Sequence, residues 1–298
     1  MNGVVILNKP ADFTSFDAVA KLRRIFHTRK IGHTGTLDPM ATGVLPICIG
    51  SATAAVDMIT AEDKTYIAEA KLGNRTDTLD TTGTVIATAP IPVLTEEKLL
   101  QAFSSFMGEI DQIPPMYSAI KQDGKRLYQL AREGKEVERS ARRVCVHSLK
   151  LLSFSEDSFS FEVACSKGLY VRSLIDDIGV SLGSFAAMSA LTRTKAGSFR
   201  LEEAVTFSDL EQAAADGSLA SLLIPTDALF SYPKLVLSEK QANRVKNGVP
   251  IYYNGTEGAV FRVYAPDGAF LCVSKLTMID GRLCLKSLKN FYSKEIPS

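Results

Sequence analysis

Residues 32–43, GHTGTLDPMATG, place three glycines, a histidine, one carboxylate and a proline in twelve positions. Glycines lack a β-carbon, so such a loop can bring its backbone close to a ligand. Its carboxylate, Asp38, is the only acidic residue between Ala18 and Val56, and Lys21, Arg23, Arg24, Arg29 and Lys30 crowd just upstream. Nearby positive charge favours an ionised carboxylate, and an ionised, positioned carboxylate is a competent nucleophile in covalent glycosyl chemistry. A salt bridge or a turn cap is the plainer role for the same residue, as a tight helix-to-strand turn is for the loop.

Two further segments supply partners for such a centre. The stretch CSKGLYVRSLIDDIG, residues 165–179, puts Lys167, Tyr170 and Arg172 where a strand gives way to a helix. Helix starts with basic side chains suit anions, so Arg172 reads as a partner either for a phosphate or for Asp38. Asp176 and Asp177 are adjacent on that helix, point in different directions, and read as exposed charges rather than a metal pair. Between 121 and 143, Lys121, Lys125, Arg126, Arg132, Lys135, Arg139, Arg142 and Arg143 stand against Asp123, Glu133, Glu136 and Glu138, a local excess hidden by a net charge of only +1. A solvated charged helix explains such a run, but the interleaved Tyr117 and Tyr128 add stacking surfaces for unpaired bases and favour a phosphate-binding face. Lys21, Arg24, Lys121, Lys125, Arg126, Arg139 and Arg143 are the candidate nucleic-acid contacts.

Other chemistries lack their residues. No Gly-rich run ends in Lys-Ser or Lys-Thr, no GxGxxG opens a helix after a strand, and no GxSxG occurs. The usual signs of nucleotide-driven, hydride-transfer and serine-hydrolase chemistry are therefore missing. Five cysteines without a CxxC pair and three histidines without ligand spacing argue against a disulfide framework and a metal site. Asp80-Thr-Thr-Gly-Thr resembles a phosphoaspartyl signature, yet NRTDTL precedes it where an apolar strand belongs, and the signature's lysine is missing. No apolar run approaches the roughly 18 residues of a membrane span, and MNGVVILNKP lacks the basic start of a secretory signal. A cytoplasmic protein is expected.

The elements that must hold these residues follow from periodicity. Residues 3–7 read as a buried strand, and Ser15 as the cap of a helix whose apolar stripe is Phe16, Val19, Leu22, Ile25 and Phe26. VLPICIG reads as a second buried strand. Residues 65–72 alternate, with Tyr66, Ala68, Ala70 and Leu72 on one face, so Tyr66 points inward, as a core residue, a stacking platform or a proton-transfer group. Thr95 caps a helix with Leu99, Leu100, Phe103 and Phe106 as its stripe and Gly108 past its end. Residues 144–152 pair with 159–165, and a helix runs from about Tyr170 to Leu182. From about 231 the pattern changes to short strands joined by Pro266-Asp267-Gly268 and Asp280-Gly281. Two domains are expected, 1–230 and a small β-rich 231–298.

Four colinear segments, GHTGTLDPMATGVLPICIG, KTYIAEAKLGNRTDTLDTTG, PPMYSAIKQDGKRLYQLAREG and CSKGLYVRSLIDDIG, together resemble the bacterial TruB-type tRNA pseudouridine synthases, over residues 2 to 200. The resemblance implies an α+β fold, a mixed α/β catalytic domain around a bent antiparallel sheet. It also implies isomerisation of uridine 55 in the T loop of tRNA, with no cofactor and no metal. By the same likeness Asp38 is the nucleophile, Arg172 its ion-pair partner, and His33, Tyr66, Tyr170 and Leu191 hold the flipped uridine. Asp80 matches an acidic position near the active site. The family often carries two arginines after the leucine, whereas here Thr192 precedes Arg193. The strands of 231–298 resemble a PUA-type RNA-binding module. The expected partner is the T arm of tRNA, bound by a monomer away from any membrane. A noncatalytic RNA-binding protein is the rival reading, and replacing Asp38 separates the two.

Overall fold

In the strand Lys64–Leu72 every second side chain, from Lys64 through Tyr66, Ala68 and Ala70 to Leu72, is buried, while Ile67, Glu69 and Lys71 face out. A sheet with one apolar face must cover it, and helices do so here. A computed structural model describes residues 1–60 and 62–292. The chain runs through β1 (Gly3–Lys9), α1 (Ser15–Ile25), β2 (Ile31–His33), β3 (Thr42–Ile49), α2 (Val56–Thr60), β4 (Lys64–Leu72), the hairpin β5 (Asn74–Thr76) and β6 (Val85–Thr88), α3 (Glu96–Ser104) and β7 (Gly108–Gln112). A short hairpin, β8 (Lys121–Gln122) and β9 (Lys125–Arg126), leads to α4 (Leu127–Arg132). The long pair β10 (Arg142–Phe154) and β11 (Ser158–Cys165) follows, then α5 (Val171–Ser181), β12 (Ala186–Ala196), β13 (Phe199–Arg200) and α6 (Phe207–Ala215).

These strands form a nine-stranded sheet ordered β1-β3-β12-β4-β11-β10-β7, with β2 beside β3 and β13 beside β12. Its pairs are antiparallel except for a short parallel contact that sets Thr192 against Thr42 and Arg193 against Gly43. Gly43 is required there: its φ is +98°, and a β-carbon would overlap the Arg193 backbone. Gly179 does the same for α5, whose close approach to Ala186 leaves no room for a side chain. Over the other half of the sheet, Phe103 of α3 packs on Phe159 and Phe161 of β11 at ring distances of 5.9 and 5.5 Å.

The C-terminal part folds as β14 (Lys234–Val236), α7 (Glu239–Lys246), β15 (Ile251–Tyr252), β16 (Val260–Tyr264), β17 (Phe270–Ile279) and β18 (Arg282–Asn290), in a five-stranded sheet ordered β14-β16-β17-β18-β15. The architecture is thus α+β with a β-rich C-terminal unit. That unit has its own apolar core around Leu237, Val245, Val263, Leu276 and Leu285. A second cluster is shared, because Val260, Phe270, Val273 and Phe291 pack with Phe230, with Val4, Ile6 and Val44 of the larger sheet and with Ile59 of α2. A boundary at 231 separates two sheets but cuts through an apolar interface. The last six residues of the expected second domain, 293–298, lie outside the described residues.

Local expectations need four corrections. The cap of α1 is Thr14, whose hydroxyl accepts from the Asp17 N–H while the Asp17 carboxylate accepts from the Thr14 N–H; Ser15 is the first helical residue. Phe16 is 68% exposed. The buried face of α1 centres on Ala18, Val19 and Leu22, and Phe16 lies about a third of a turn off it. Leu100 is exposed for the same reason, since α3 buries Leu99, Ala102 and Phe103. Asp176 is buried, not exposed, because its carboxylate accepts two bonds from Arg75, at 2.7 and 2.6 Å.

Candidate active site

The loop carrying Asp38 is tied down from four directions. The Ser15 hydroxyl accepts from the Leu37 N–H at 2.9 Å and donates to the Leu37 carbonyl at 3.3 Å. Lys9, fully buried at the end of β1, donates to the carbonyls of Pro10, Phe13 and Pro39 at 2.8, 2.7 and 3.1 Å. Arg193, buried in β12, donates to the Val44 carbonyl at 2.7 Å and to the Gly35 carbonyl at 3.2 Å. The Ala41 N–H closes a turn on the Asp38 carbonyl. Buried carbonyls in a loop must find donors, and two long basic side chains supply them here. Burial pushes the Lys9 ammonium down to about 8, opposed by the charges of Asp38 and Asp12.

Asp38 itself meets Arg172 in a two-pronged pair. Arg172 Nε lies 2.9 Å from one carboxylate oxygen and Nη2 3.1 Å from the other. The remaining guanidinium donors bond the carbonyls of Thr78, at 2.6 Å, and Tyr117, at 2.8 Å. The arginine side chain is 4% exposed and the carboxylate 32% exposed, so the anion stays reachable while its cation does not. Of the two partners the sequence offered Arg172, a phosphate or Asp38, the structure has Asp38. A fork geometry fixes the carboxylate plane as well as its position. The start of α5 is fixed by the buried Gln112, whose amide accepts from the Tyr170 N–H and donates to the Tyr170 carbonyl.

Around this pair lie the aromatic and apolar groups. Tyr66 is buried on β4, opposite Arg193 of β12, with Leu191 two residues along opposite Ala68. Burial raises the Tyr66 phenol above its ordinary value, opposed by the Arg193 charge, and the Asp38 charge adds to the rise. Tyr170 is raised by burial too, and again Asp38 contributes. His33 accepts the Gly35 N–H on Nδ1 at 3.3 Å. Its imidazole is held below the usual value by burial and then by the charges of Arg193 and Arg126, which keeps the ring neutral.

Asp80 has a local task. Its carboxylate oxygen Oδ1 accepts from the Thr78 hydroxyl, the Thr82 hydroxyl and the Thr82 N–H, at 2.9, 2.6 and 3.1 Å. The loop so closed presents the Thr78 carbonyl to Arg172, which is how Asp80 reaches the centre. Lys9, Gln112 and Arg193 were not among the sequence candidates, and Tyr117 was one for its ring rather than its carbonyl, because each works on backbone or through residues far along the chain. Arg193 is buried under the loop, with its guanidinium spent on the Val44 and Gly35 carbonyls.

The expected nucleic-acid contacts divide. Arg24 and Lys121 are exposed and make no ion pair among the described residues. Lys21 pairs with Glu211 at 2.9 Å and lies over the ring of Phe207. Lys125 pairs with Glu133, and Arg126 lies 5.9 Å from the ring of Tyr128. Arg139 donates to the Pro114 carbonyl and pairs with Glu136, whereas Arg143 pairs with Asp111 and Glu109 across the sheet. The local charge count missed Glu211, Glu109 and Asp111 because they come from other segments.

Residues 23–171 match the TruB family pseudouridylate synthase (N terminal domain), and residues 172–231 match the tRNA pseudouridylate synthase B C-terminal domain. The chain belongs to the TruB family of pseudouridylate synthases. It is 51% identical over 257 residues to the tRNA pseudouridine synthase B of Geobacillus kaustophilus (strain HTA426), covering 83% of this chain and 90% of the relative. It is 42% identical to that of Clostridium perfringens (strain 13 / Type A), covering 92% and 95%. A chain in the crystal structure of a Cbf5-Nop10-Gar1 complex shares the fold, with a TM-score of 0.71 and 26% identity over 97% of this chain and 85% of that one. As a TruB-family member the protein is an isomerase that forms pseudouridine in tRNA.

Proposed function

We propose that the enzyme isomerises uridine 55 in the T loop of tRNA, with Asp38 as nucleophile on a flipped-out base. The observation that carries this reading is the reachable Asp38 carboxylate held by a buried, two-pronged Arg172. Isomerisation breaks the bond from ribose C1′ to N1, turns the base and joins C1′ to C5, after which the C5 proton leaves. A carboxylate that bonds transiently to sugar or base lets the base turn without escaping. Flipping costs a few kcal/mol, which stacking on Tyr66, packing on Leu191 and polar contacts from His33 and Tyr170 offset. Arg172 orients the nucleophile, and Asp80 supports Arg172 through the Thr78 carbonyl. The residues assigned need neither cofactor nor metal.

The T arm reaches this cleft across a basic surface formed by Lys21, Arg24, Lys121, Lys125, Arg126, Arg139 and Arg143, with the protein acting as a monomer in the cytoplasm. Residues 1–230 form the catalytic domain and 231–298 a PUA-like RNA-binding domain. Tritium release from a T-arm hairpin labelled at uridine C5 tests the reaction. Asp38→Ala should bind the hairpin and release only background tritium. An Asp38→Ala protein that still releases tritium would return the carboxylate to a structural role.

A further inference from the structure

The first turn of α1 carries an aromatic ring with no packing role. Phe16 is 68% exposed and contributes to none of the apolar clusters among the described residues. Single exposed apolar side chains are ordinary on protein surfaces, so its neighbours decide what it means. Its chain neighbour Ser15 is joined to Leu37 by two hydrogen bonds, so Phe16 stands one residue from a side chain that holds the residue preceding Asp38. One and two turns further along the same helical face come Ala20 and Arg23, with Arg24 beside them. Arg23, Arg24, Arg29 and Lys30 are all exposed, and none makes an ion pair among the described residues. The acids nearest in the chain are occupied, Asp17 in capping α1 and Asp38 with Arg172.

We propose that Phe16 is a nucleobase-stacking site at the rim of the cleft, taking an unpaired base of the substrate loop beside the target uridine, while Arg23, Arg24, Arg29 and Lys30 meet the phosphates that lead to it. An aromatic ring interleaved with unpaired cations is the arrangement that binds single-stranded nucleic acid without reading its sequence. Anchoring to the Leu37–Asp38 loop means that a base held on Phe16 sits in fixed register with the nucleophile. The proposal rests on the T-loop reading above, and the experiment separates the two.

The chain contains no tryptophan, so Phe16→Trp introduces a single tryptophan, excited apart from the tyrosines, at the site. Titration with T-arm hairpin RNA should quench its emission with the same midpoint that filter retention gives for binding. Phe16→Ala should raise KM roughly 5- to 150-fold, the span expected for one base stack, with kcat within about twofold of wild type and an unchanged melting temperature. Phe16→Tyr should restore KM. Wild-type binding and turnover on the hairpin, together with unaltered emission from the Phe16→Trp protein at saturation and a Phe16→Ala KM within about twofold of wild type, would overturn the stacking site and leave the substrate reading standing. A wild-type enzyme that neither binds nor modifies the hairpin would overturn both.

Discussion

In the cleft, Lys9, Arg172 and Arg193 are buried and their donors are fixed on backbone carbonyls or on Asp38. In the segment 121–143, Lys125, Lys135, Arg139 and Arg143 sit against the acids Glu133, Glu136, Glu109 and Asp111 at the surface. Both regions are rich in cations, yet the consequences differ. A buried cation cannot give up its partner without leaving a desolvated group behind, which costs about 3–5 kcal/mol when one member of a buried pair is removed. An exposed pair is worth about 0–1 kcal/mol and can be exchanged for a phosphate at little cost. The surroundings of Asp38 are therefore built to hold one geometry, whereas the basic segment keeps contacts that it can exchange.

The sharpest way to break this comparison is Arg172→Lys. Lysine keeps the charge but cannot fork onto both oxygens of Asp38 while also reaching the Thr78 and Tyr117 carbonyls. The single-turnover rate should fall by about 10²- to 10⁴-fold, the rate equivalent of a broken buried pair, with hairpin affinity within about threefold. Rapid-quench tritium release beside filter binding checks both numbers. A variant within about tenfold of the wild-type rate would show that charge alone orients Asp38 and that the fork is incidental.

The two regions also differed in how far the sequence revealed them. Alternation over 65–72 was enough to turn Tyr66 inward, since a period of two leaves one answer. The strand pair β10–β11, the helix after Tyr170 and the two turns of the C-terminal sheet were legible for similar local reasons. The clamps on the Asp38 loop were not. Lys9 reaches Pro39 across 30 positions and Arg193 reaches Val44 across 149, and no local pattern carries a partner that distant. The charge excess at 121–143 was real in the window and smaller in space, because Asp111 meets Arg143 from 32 positions away. Phe16 failed as a core residue because helical periodicity reads a stripe but not its width.

A middle-sized effect should come from the basic segment. Lys125→Gln with Arg126→Gln removes two exposed cations from β9 without touching the large sheet. If both contact phosphates, affinity for the hairpin should drop several-fold near physiological salt. The slope of log affinity against log salt should also become shallower by about 1.4 to 1.8. The rate at saturating RNA should stay within about twofold. A salt slope equal to that of wild type would mean that these cations meet only their protein neighbours, and the contrast with the cleft would lose its functional side.

His33 is where the two regions meet, and it gives the smallest and most specific test. The charges that oppose its protonation come from Arg193 in the cleft and from Arg126 in the basic segment, after burial as the larger cause. A histidine held below 6.5 in the folded chain is neutral at pH 7. As pH falls through about 6.5 the unfolded chain takes up the proton first, so stability is lost in the window from there down to the folded value. His33→Gln removes that loss. Between about pH 7.5 and 5.5 the melting temperature of the wild type should fall relative to that of the variant. Arg126→Gln should shrink the difference, because one of the two opposing charges is gone. A wild type that instead gained on His33→Gln during acidification would place a favourable anion beside the ring. The neutral state also fixes the chemistry available to His33: with Nδ1 accepting from the Gly35 N–H, the proton sits on Nε2, so the ring offers a hydrogen-bond donor and no acid at neutral pH.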